Sequence, residues 1–329
     1  MARILSSLLL LITLGLQPAF SGWYKGNTHT HTINSDGDTS PDMVARWYKE
    51  HGYQFVVITD HNFNTDVRGI NAVMAARGKF LVLSGEEVTD KFIDMDQKTL
   101  PLHMNAVNLD QALTVPPAGS GSVPEVLKND IAAINAAGAL PTVNHPNYCW
   151  AINVDRLFEL KNYLHFEIYN SSTECNNLGG GGFPGVEAMW DSLLSRGKLV
   201  YGVGSDDAHE FKVWGPRYSN PGGAFVVVKA DSLAAGALVE ALRRGDFYSS
   251  TGVMLKDVRV EGKSLVLELD EEGQNRYTVY FIGRGGKVLQ TDYSFPAVYR
   301  MTGGEAYVRA KVVDSNGRTA WTQPVFTGR

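Results

Sequence analysis

Residues 55–61 read Phe-Val-Val-Ile-Thr-Asp-His, and they lead from an apolar, β-branched run directly to an acid and a histidine. A short run of this kind, bounded by polar residues, is typical of a buried strand in a parallel sheet. Comparable runs recur along residues 22–251, with helical patterns between them. The predicted strands are Trp23 to Thr32, Phe55 to Thr59, Phe80 to Ser84, His103 to Asn108, Ala139 to Val143, His165 to Tyr169 and Leu199 to Gly204. This alternation predicts an α/β fold built around a mainly parallel sheet or barrel.

Start and stop signals define the helices between these strands. Ser40-Pro41 begins a predicted helix that Gly52 ends. Further helices are predicted from Ser122 to Gly138 and from Pro184 to Arg196. Seven strands with intervening helices favour a barrel over residues 22–251.

The pattern changes after a predicted helix from Ser232 to Arg244. Apolar and polar residues then alternate with a period of two, which is typical of half-buried strands. The alternating runs are Leu265 to Leu269, Tyr277 to Ile282 and Tyr307 to Val313. Glycine-containing turn signals separate these runs, so residues 252–329 predict a small antiparallel, β-sandwich-like domain.

Composition excludes several classes of protein. The chain has 329 residues, of which 44% are hydrophobic and 20% are charged, as in an ordinary soluble globular protein. Disordered chains, collagen-like repeats and disulfide-dense miniature scaffolds have different compositions. The formal net charge of -5 argues against a nucleic acid as the resting partner.

The first 21 residues have the pattern of a secretory signal peptide. Arg3 precedes the apolar stretch Leu8 to Leu16, and Ala19-Phe20-Ser21 forms a small-x-small cleavage site. The apolar stretch is shorter than the ~20 residues that a membrane crossing needs, so stable membrane insertion is not expected. We therefore expect a secreted or periplasmic protein. In such a compartment Cys149 and Cys175 either form a disulfide or remain two buried thiols.

Most of the histidines fall at the predicted strand ends. Carboxyl ends of parallel strands gather on one face of a barrel, so these side chains are expected to converge with nearby acids. Imidazoles and carboxylates together suit divalent Zn, Mn or Fe, and His29 and His31, two apart on a strand, would point the same way. The candidate residues are His29, His31, Asp36, His61, Glu86, Glu87, His103, His145, Asp206, Asp207 and His209.

Taken together, the motifs resemble those of the PHP (polymerase and histidinol phosphatase) superfamily of metal-dependent phosphoesterases. The matching segments are Asn27-Thr28-His29-Thr30-His31, Ser35-Asp36-Gly37, Ile58-Thr59-Asp60-His61, Gly85-Glu86-Glu87, Asn144-His145-Pro146 and Asp207-Ala208-His209. Three other segments look like the CehA/McbA branch, which is named after aryl methylcarbamate hydrolases. These segments are residues 47–53, 166–170 and 320–324.

This resemblance implies a distorted (β/α)7 barrel that holds two to three divalent ions. The implied ligands are His29, His31, Glu87 and Asp207 for the first ion, Glu87, His103 and His145 for the second, and Asp36, His61 and His209 for the third. Glu87 would bridge the first two ions. Asp36 stands where other members have histidine.

The implied chemistry is hydrolysis by a hydroxide that bridges the ions, so no serine or cysteine nucleophile is required. His209 or Asp207 would transfer the proton. Arg217 is a candidate to bind an anionic phosphate, with solvated surface as the alternative. Asn147, Tyr148 and Trp150 either line a substrate pocket or serve packing.

Three functions remain open at this point. The leading hypothesis is a phosphoesterase for a small-molecule monoester or diester. The second is a carbamate or carboxyl ester hydrolase, which would use the same ligands. The third is a non-catalytic protein that binds an envelope component or carbohydrate through its β tail.

Overall fold

The computed structural model describes residues 21–76, 78–115, 121–269 and 275–328. The predicted signal peptide therefore lies outside the described residues except for Ser21. Among the described helices, none has both the length and the apolar character needed to cross a membrane.

The helices follow the signals read from the sequence, with slightly shorter bounds. They are α1 (Pro41–Glu50), α2 (Arg68–Met74), α3 (Val123–Ala136), α4 (Val154–Glu159), α5 (Val186–Ser195) and α6 (Ala235–Arg244). Proline near the start of α1 has the backbone angle that a helix needs, and Val44, Ala45 and Tyr48 then face the core at helical spacing. The sequence patterns missed α2 and α4, which are only one to two turns long.

The first nine strands form one continuous part of a large sheet. They are β1 (Gly22–Asn27), β2 (Phe55–Ile58), β3 (Leu81–Ile93), β4 (Thr99–Val107), β5 (Leu140–Val143), β6 (His165–Asn170), β7 (Tyr201–Ser205), β8 (Phe225–Ala230) and β9 (Phe247–Ser250). Strands β1 to β7 are neighbours in chain order, and four of their pairs are parallel. The mixed α/β fold with a large sheet is thus as predicted.

Two pairs of neighbouring strands depart from the parallel prediction. β3 and β4 form a long antiparallel hairpin, and β4 also pairs antiparallel with β5. The prediction ended β3 at Ser84 because polar residues follow, yet the strand continues to Ile93. A hairpin supplies partners for the backbone of this polar stretch, which periodicity within one segment does not reveal.

β8 and β9 were not predicted, and they change the edge of the sheet. β8 pairs antiparallel with β1, so β1 lies between β2 and β8. Beyond the strand ends a parallel bridge nevertheless joins Thr30 to Ala208. The amide of His31 donates to the Ala208 carbonyl at 2.9 Å, and the amide of Asp207 donates to the His29 carbonyl at 3.0 Å. The chain segments that leave β1 and β7 therefore meet.

The remaining strands are all antiparallel to their partners. They are β10 (Leu255–Glu261), β11 (Ser264–Leu269), β12 (Tyr277–Gly283), β13 (Lys287–Asp292), β14 (Ala297–Arg300), β15 (Tyr307–Asp314), β16 (Thr319–Thr322) and β17 (Val325–Phe326). β10, β11 and β14 form a separate three-stranded sheet, whereas β16 pairs with β9 and extends the large sheet across residue 251. Leu267 of the small sheet shares a hydrophobic core with Phe281 and Val312 of the large one. The boundary at residue 251 remains a prediction.

The two cysteines correct one of the expectations. Both are free, with Cys149 exposed and Cys175 buried, so the disulfide is absent and only one of the thiols is buried. Cys149 lies in a short 3-10 helix at residues 148–150, which directs it towards solvent.

Candidate metal centre

The structure brings the nine predicted ligand residues together around the carboxylate of Glu87. This carboxylate lies within 3.4 Å of nitrogen atoms from five histidines. The shortest of these distances is 2.9 Å, from Oε2 of Glu87 to Nδ1 of His61. The nine side chains are those of His29, His31, Asp36, His61, Glu87, His103, His145, Asp207 and His209.

Two of these residues are not at strand ends, contrary to the prediction. Glu87 lies within β3, and His103 lies within β4, opposite Thr89 in the hairpin. Because side chains alternate along a strand, Glu86 faces away, and its Oε2 accepts a hydrogen bond from the Leu113 amide at 3.0 Å. The hairpin thus carries Glu87, and not Glu86, into the cluster.

His29 and His31 lie just beyond β1, rather than on it as predicted. Their Nε2 atoms are 3.1 Å apart, and Oδ1 of Asp207 lies 3.2 Å from the first and 3.1 Å from the second. Asp207 follows β7, so the backbone bridge between the two chain segments sets this triangle. Its positive φ of 51° is a strained conformation for a residue with a side chain, and such strain is common at functional sites.

The triangle fits a metal ion. Bonds of about 2.1 Å to nitrogen or oxygen place adjacent ligand atoms about 3.0 Å apart in an octahedron and about 3.4 Å apart in a tetrahedron. The three observed separations lie between these two values. The donor set also combines carboxylate and imidazole, which divalent transition ions accept.

Three groups of donor atoms are close enough to hold an ion, with all atoms of a group within 4.8 Å of one another. The groups are His31, Asp36, His61 and His209; His29, His31 and Asp207; and His61, Glu87 and His103. They differ from the implied sets in two ways: His31 and His61 each belong to two groups, and His145 belongs to none of the three. His61 directs Nδ1 to Glu87 and Nε2 to Asp36, at 2.9 and 3.4 Å.

The acids and histidines shift one another's pKa values in the absence of an ion. Burial lowers the pKa of His61, but hydrogen bonds with Asp36 and Glu87 outweigh this effect and raise it to about 10. Burial also lowers the pKa of His209, but Asp36 and Asp207 outweigh this effect and raise it to about 9. Burial raises the pKa of Glu87, yet the surrounding histidines hold it well below its usual range. Protons therefore supply the positive charge that these carboxylates require.

A buried acid to which the sequence assigned no role supports the cluster from behind. Oε1 of Glu167 accepts from Nδ1 of His29 at 2.8 Å, and Oε2 accepts from the His145 amide at 2.8 Å. Asn170 also donates to Oε2 of Glu167 at 2.8 Å and to Oδ2 of Asp207 at 3.1 Å. An acid inside an otherwise apolar strand was the available signal, since a buried charge requires partners.

Other polar residues beside the motifs hold the backbone or a ligand. Asn144 donates to Oε1 of Glu87 at 2.8 Å. Asp60 accepts from the amide and the hydroxyl of Thr32, and Asp206 accepts from the Tyr48 hydroxyl at 2.9 Å. Asp60 and Asp206 therefore fix the chain segments beside the candidate ligands.

A cavity of 300 Å³ opens beside the cluster. Arg217 and Tyr148 line it, and Arg217 is exposed, without an ion-pair partner among the described residues. The other two pocket candidates serve packing. Asn147 donates to the Pro184 carbonyl at 2.9 Å, and Trp150 stacks on Phe183 with ring centroids 4.5 Å apart.

Fold and site together define a mixed α/β protein with clusters of histidine, aspartate and glutamate that can bind divalent metal ions. No family model matches the chain. No curated protein matches it either.

Several solved structures are similar to this chain. One is a two-domain protein from Bacteroides vulgatus, described by prediction as containing a PHP-like metal-dependent phosphoesterase. It is 14% identical, with 89% of this chain and 90% of that chain covered and a TM-score of 0.48. A protein from Bifidobacterium adolescentis, provisionally described as a metal-dependent phosphoesterase, is 14% identical, with coverages of 67% and 94% and a TM-score of 0.41. An amidohydrolase from Chromobacterium violaceum, with bound sulfate and no metal, is 15% identical, with coverages of 57% and 88% and a TM-score of 0.40.

Proposed function

We propose that this protein is an exported, multinuclear metal-dependent hydrolase that acts on a small phosphoester, either a monoester or a diester. The observation that carries the proposal is the convergence of six histidines and two aspartates around Glu87. A packed core would exclude so many ionisable groups unless they served a purpose. The motif resemblance to the PHP superfamily, and within it to the CehA/McbA branch, supports the same reaction class and a seven-stranded barrel.

The ligand sets implied by the resemblance can be refined by the distances. His29, His31, Glu87 and Asp207 would hold one ion, and Glu87, His103 and His145 a second. Asp36, His61 and His209 would hold a third, with His31 as a further donor. Bound divalent ions would supply Lewis acidity, which lowers the pKa of water and polarises the scissile P=O or C=O bond.

Hydrogen bonds from the protein orient the donor atoms. The Glu167 carboxylate accepts the proton on Nδ1 of His29, so the lone pair of Nε2 faces His31 and Asp207. The carbonyl of Asp207 similarly accepts from Nδ1 of His209 at 2.9 Å. Only Nε2 of His209 is then free to bind an ion or to carry a proton.

Arg217 is the residue we assign to the substrate phosphate. Its guanidinium lines the cavity, and a guanidinium matches the oxygens of a phosphate in a bidentate manner. Asp207 and His209 line the same cavity, where one of them would transfer a proton to or from the reacting oxygen.

The first test is the metal content of protein purified without chelator, measured by elemental mass spectrometry, together with an ester panel. We expect two to three bound ions in the wild type, fewer in His29→Ala and Glu87→Ala, and turnover of phosphoesters. Near-zero metal in a folded protein would refute the hydrolase. Turnover of carbamates or carboxyl esters, but of no phosphoester, would support the metal site and contradict the proposed substrate class. Retained ligand binding after metal removal, without turnover of any ester, would instead favour a binding protein.

A further inference from the structure

The wall of the cavity beside the metal centre is mostly polar. Its described lining residues include no aliphatic side chain, no phenylalanine and no tryptophan. Beyond the candidate ligands and Arg217, the wall consists of hydroxyl groups, carboxylates and one buried thiol. These residues are Tyr148, Ser172, Thr173, Glu174, Cys175, Glu210 and Ser219.

Part of this wall is fixed in place. The hydroxyls of Ser172 and Ser219 form a hydrogen bond of 2.8 Å, and Oε2 of Glu210 accepts from the Ser219 amide at 2.8 Å. The backbone amide of Ser172 donates to Oδ1 of Asn170 at 2.9 Å. The side-chain Nδ2 of Asn170 in turn donates to Oδ2 of Asp207. These hydrogen bonds therefore fix the position of Ser172 and Ser219 relative to the candidate metal ligands.

The same wall also offers unused hydrogen-bonding capacity. The side chain of Glu174 is exposed, and within the described residues it has no hydrogen-bond or ion-pair partner. One oxygen of Glu210 has no hydrogen-bond partner there either. Carboxylates accept hydrogen bonds from alcohols, and serine hydroxyls both donate and accept them. A ligand with several hydroxyl groups satisfies this wall.

An aryl leaving group does not suit the wall. It would remove water from these carboxylates and hydroxyls and return no hydrogen bond, which costs about 1 to 3 kcal/mol for each buried group. The exposed aromatic ring of Trp214 lies on the loop that carries Arg217, but it packs near Trp47 and does not line the cavity. Stacking for an aryl ring inside the cavity is limited to Tyr148 and the histidines.

We infer that the alcohol half of the substrate is rich in hydroxyl groups, as in a sugar or another small polyol, and that Ser172, Glu174 and Ser219 select it. This inference rests on the proposed phosphoesterase function. A cavity of 300 Å³ is at the small end of ligand pockets, which suits one sugar-sized alcohol attached to a phosphate.

The test compares glucose 6-phosphate with phenyl phosphate as substrates of the metal-replete full chain. We expect kcat/KM to be at least about 10-fold higher for glucose 6-phosphate, because unpaired buried polar groups penalise the aryl ester. Ser219→Ala and Glu174→Gln should each lower the ratio of kcat/KM for glucose 6-phosphate to kcat/KM for phenyl phosphate about 10-fold. Glu159→Gln, an exposed carboxylate at the end of α4, is the matched control and should change neither.

Binding provides a readout that does not depend on turnover. The phosphonate analogue of glucose 6-phosphate should bind the wild type more tightly than phenylphosphonate in calorimetry, and Ser219→Ala should remove most of the difference. A preference for phenyl phosphate, or an equal loss for both substrates, would overturn the inference while leaving the phosphoesterase intact. Absence of turnover for every phosphoester in a metal-replete protein would overturn the proposed function, and the inference with it.

Discussion

Two clusters of buried charge differ in how their charges are matched. Between α5 and β15, Arg309 donates to both oxygens of Asp191 at 2.8 and 2.7 Å, and Lys311 donates to Glu187 at 2.6 Å. Arg309 also donates to Glu187 at 2.9 Å, so two cations there are matched by two acids. Around Glu87, by contrast, one carboxylate faces five histidines, while His31 faces three acids and His61 faces two.

This difference in charge balance indicates a different role for each cluster. Matched pairs neutralise their own charge, so the α5 cluster can hold a helix on a sheet without help. Neutral imidazoles cannot balance three carboxylates, so the Glu87 cluster requires protons or metal ions.

Replacement of the central acid should abolish the metal-dependent function. Glu87→Gln removes the charge shared by the donor groups, and we expect loss of bound ions and a fall in kcat/KM of at least about 10³-fold. Elemental mass spectrometry and an ester assay measure these effects. Glu86→Gln, the adjacent acid that faces away, is the control and should retain its ions. Equal metal loss in both variants would contradict the central position of Glu87.

Breaking the matched cluster should affect stability instead. Arg309→Met leaves Asp191 buried without its cation, so the free energy of unfolding should fall by about 3 to 5 kcal/mol. Denaturant titration of metal-replete protein measures this loss. Lys311→Met, at a partly exposed pair, should cost about 1 kcal/mol or less. Loss of bound metal from still-folded Arg309→Met protein would show that the clusters are not independent.

Metal affinity should rise with pH. In metal-free protein His61 and His209, with pKa values of about 10 and about 9, hold protons at pH 7. These raised values stabilise the metal-free fold fully below pH 6.5 or so, and that stabilisation is lost as the pH rises through about 9 to 10. An ion must displace the protons, so affinity should increase about 10-fold per pH unit for each proton released.

Calorimetry at pH 6, 7 and 8 in buffers of different ionisation enthalpy measures this proton release. His51→Gln, which alters an exposed histidine after α1, should leave it unchanged. Affinity that does not depend on pH would show that the histidines are neutral before the ion binds.

The smallest effect concerns Arg217, the one arginine or lysine among the described residues that line the cavity. Arg217→Gln should raise KM for a phosphomonoester about 10-fold, because a charge-assisted hydrogen bond is lost, and should leave a neutral carboxyl ester within about 2-fold. Steady-state kinetics on both substrates distinguish the two outcomes. Arg284→Gln, also exposed, lies outside this cavity and serves as the control. Equal effects on both esters would show that Arg217 stabilises its loop and does not bind the phosphate.

Much of the fold was readable from local pattern. The predicted strands of residues 22–251 overlap β1 to β7, and the predicted helices overlap α1, α3, α5 and α6. Short elements such as α4 were missed because one or two turns carry little periodicity. The prediction assigned only seven strands to this part of the chain. It therefore missed β8, although Val226, Val227 and Val228 form an apolar run.

The amino-acid sequence alone predicted which side chains gather at the candidate centre. Histidines and acids that follow apolar strands are a local signal, and all nine predicted ligands lie together. It also predicted antiparallel strands after residue 251, where β10 to β17 lie, because a period of two is read within each segment.

How these segments contact one another depends on the tertiary structure. The β3–β4 hairpin carries Glu87 and His103 into the site, Glu167 orients His29 from β6, and the sheet continues across residue 251. Each of these features is a contact between segments far apart in the chain. Side-chain pattern within one segment is set by burial, whereas the partner of a strand or of a buried charge is set by packing of the whole chain.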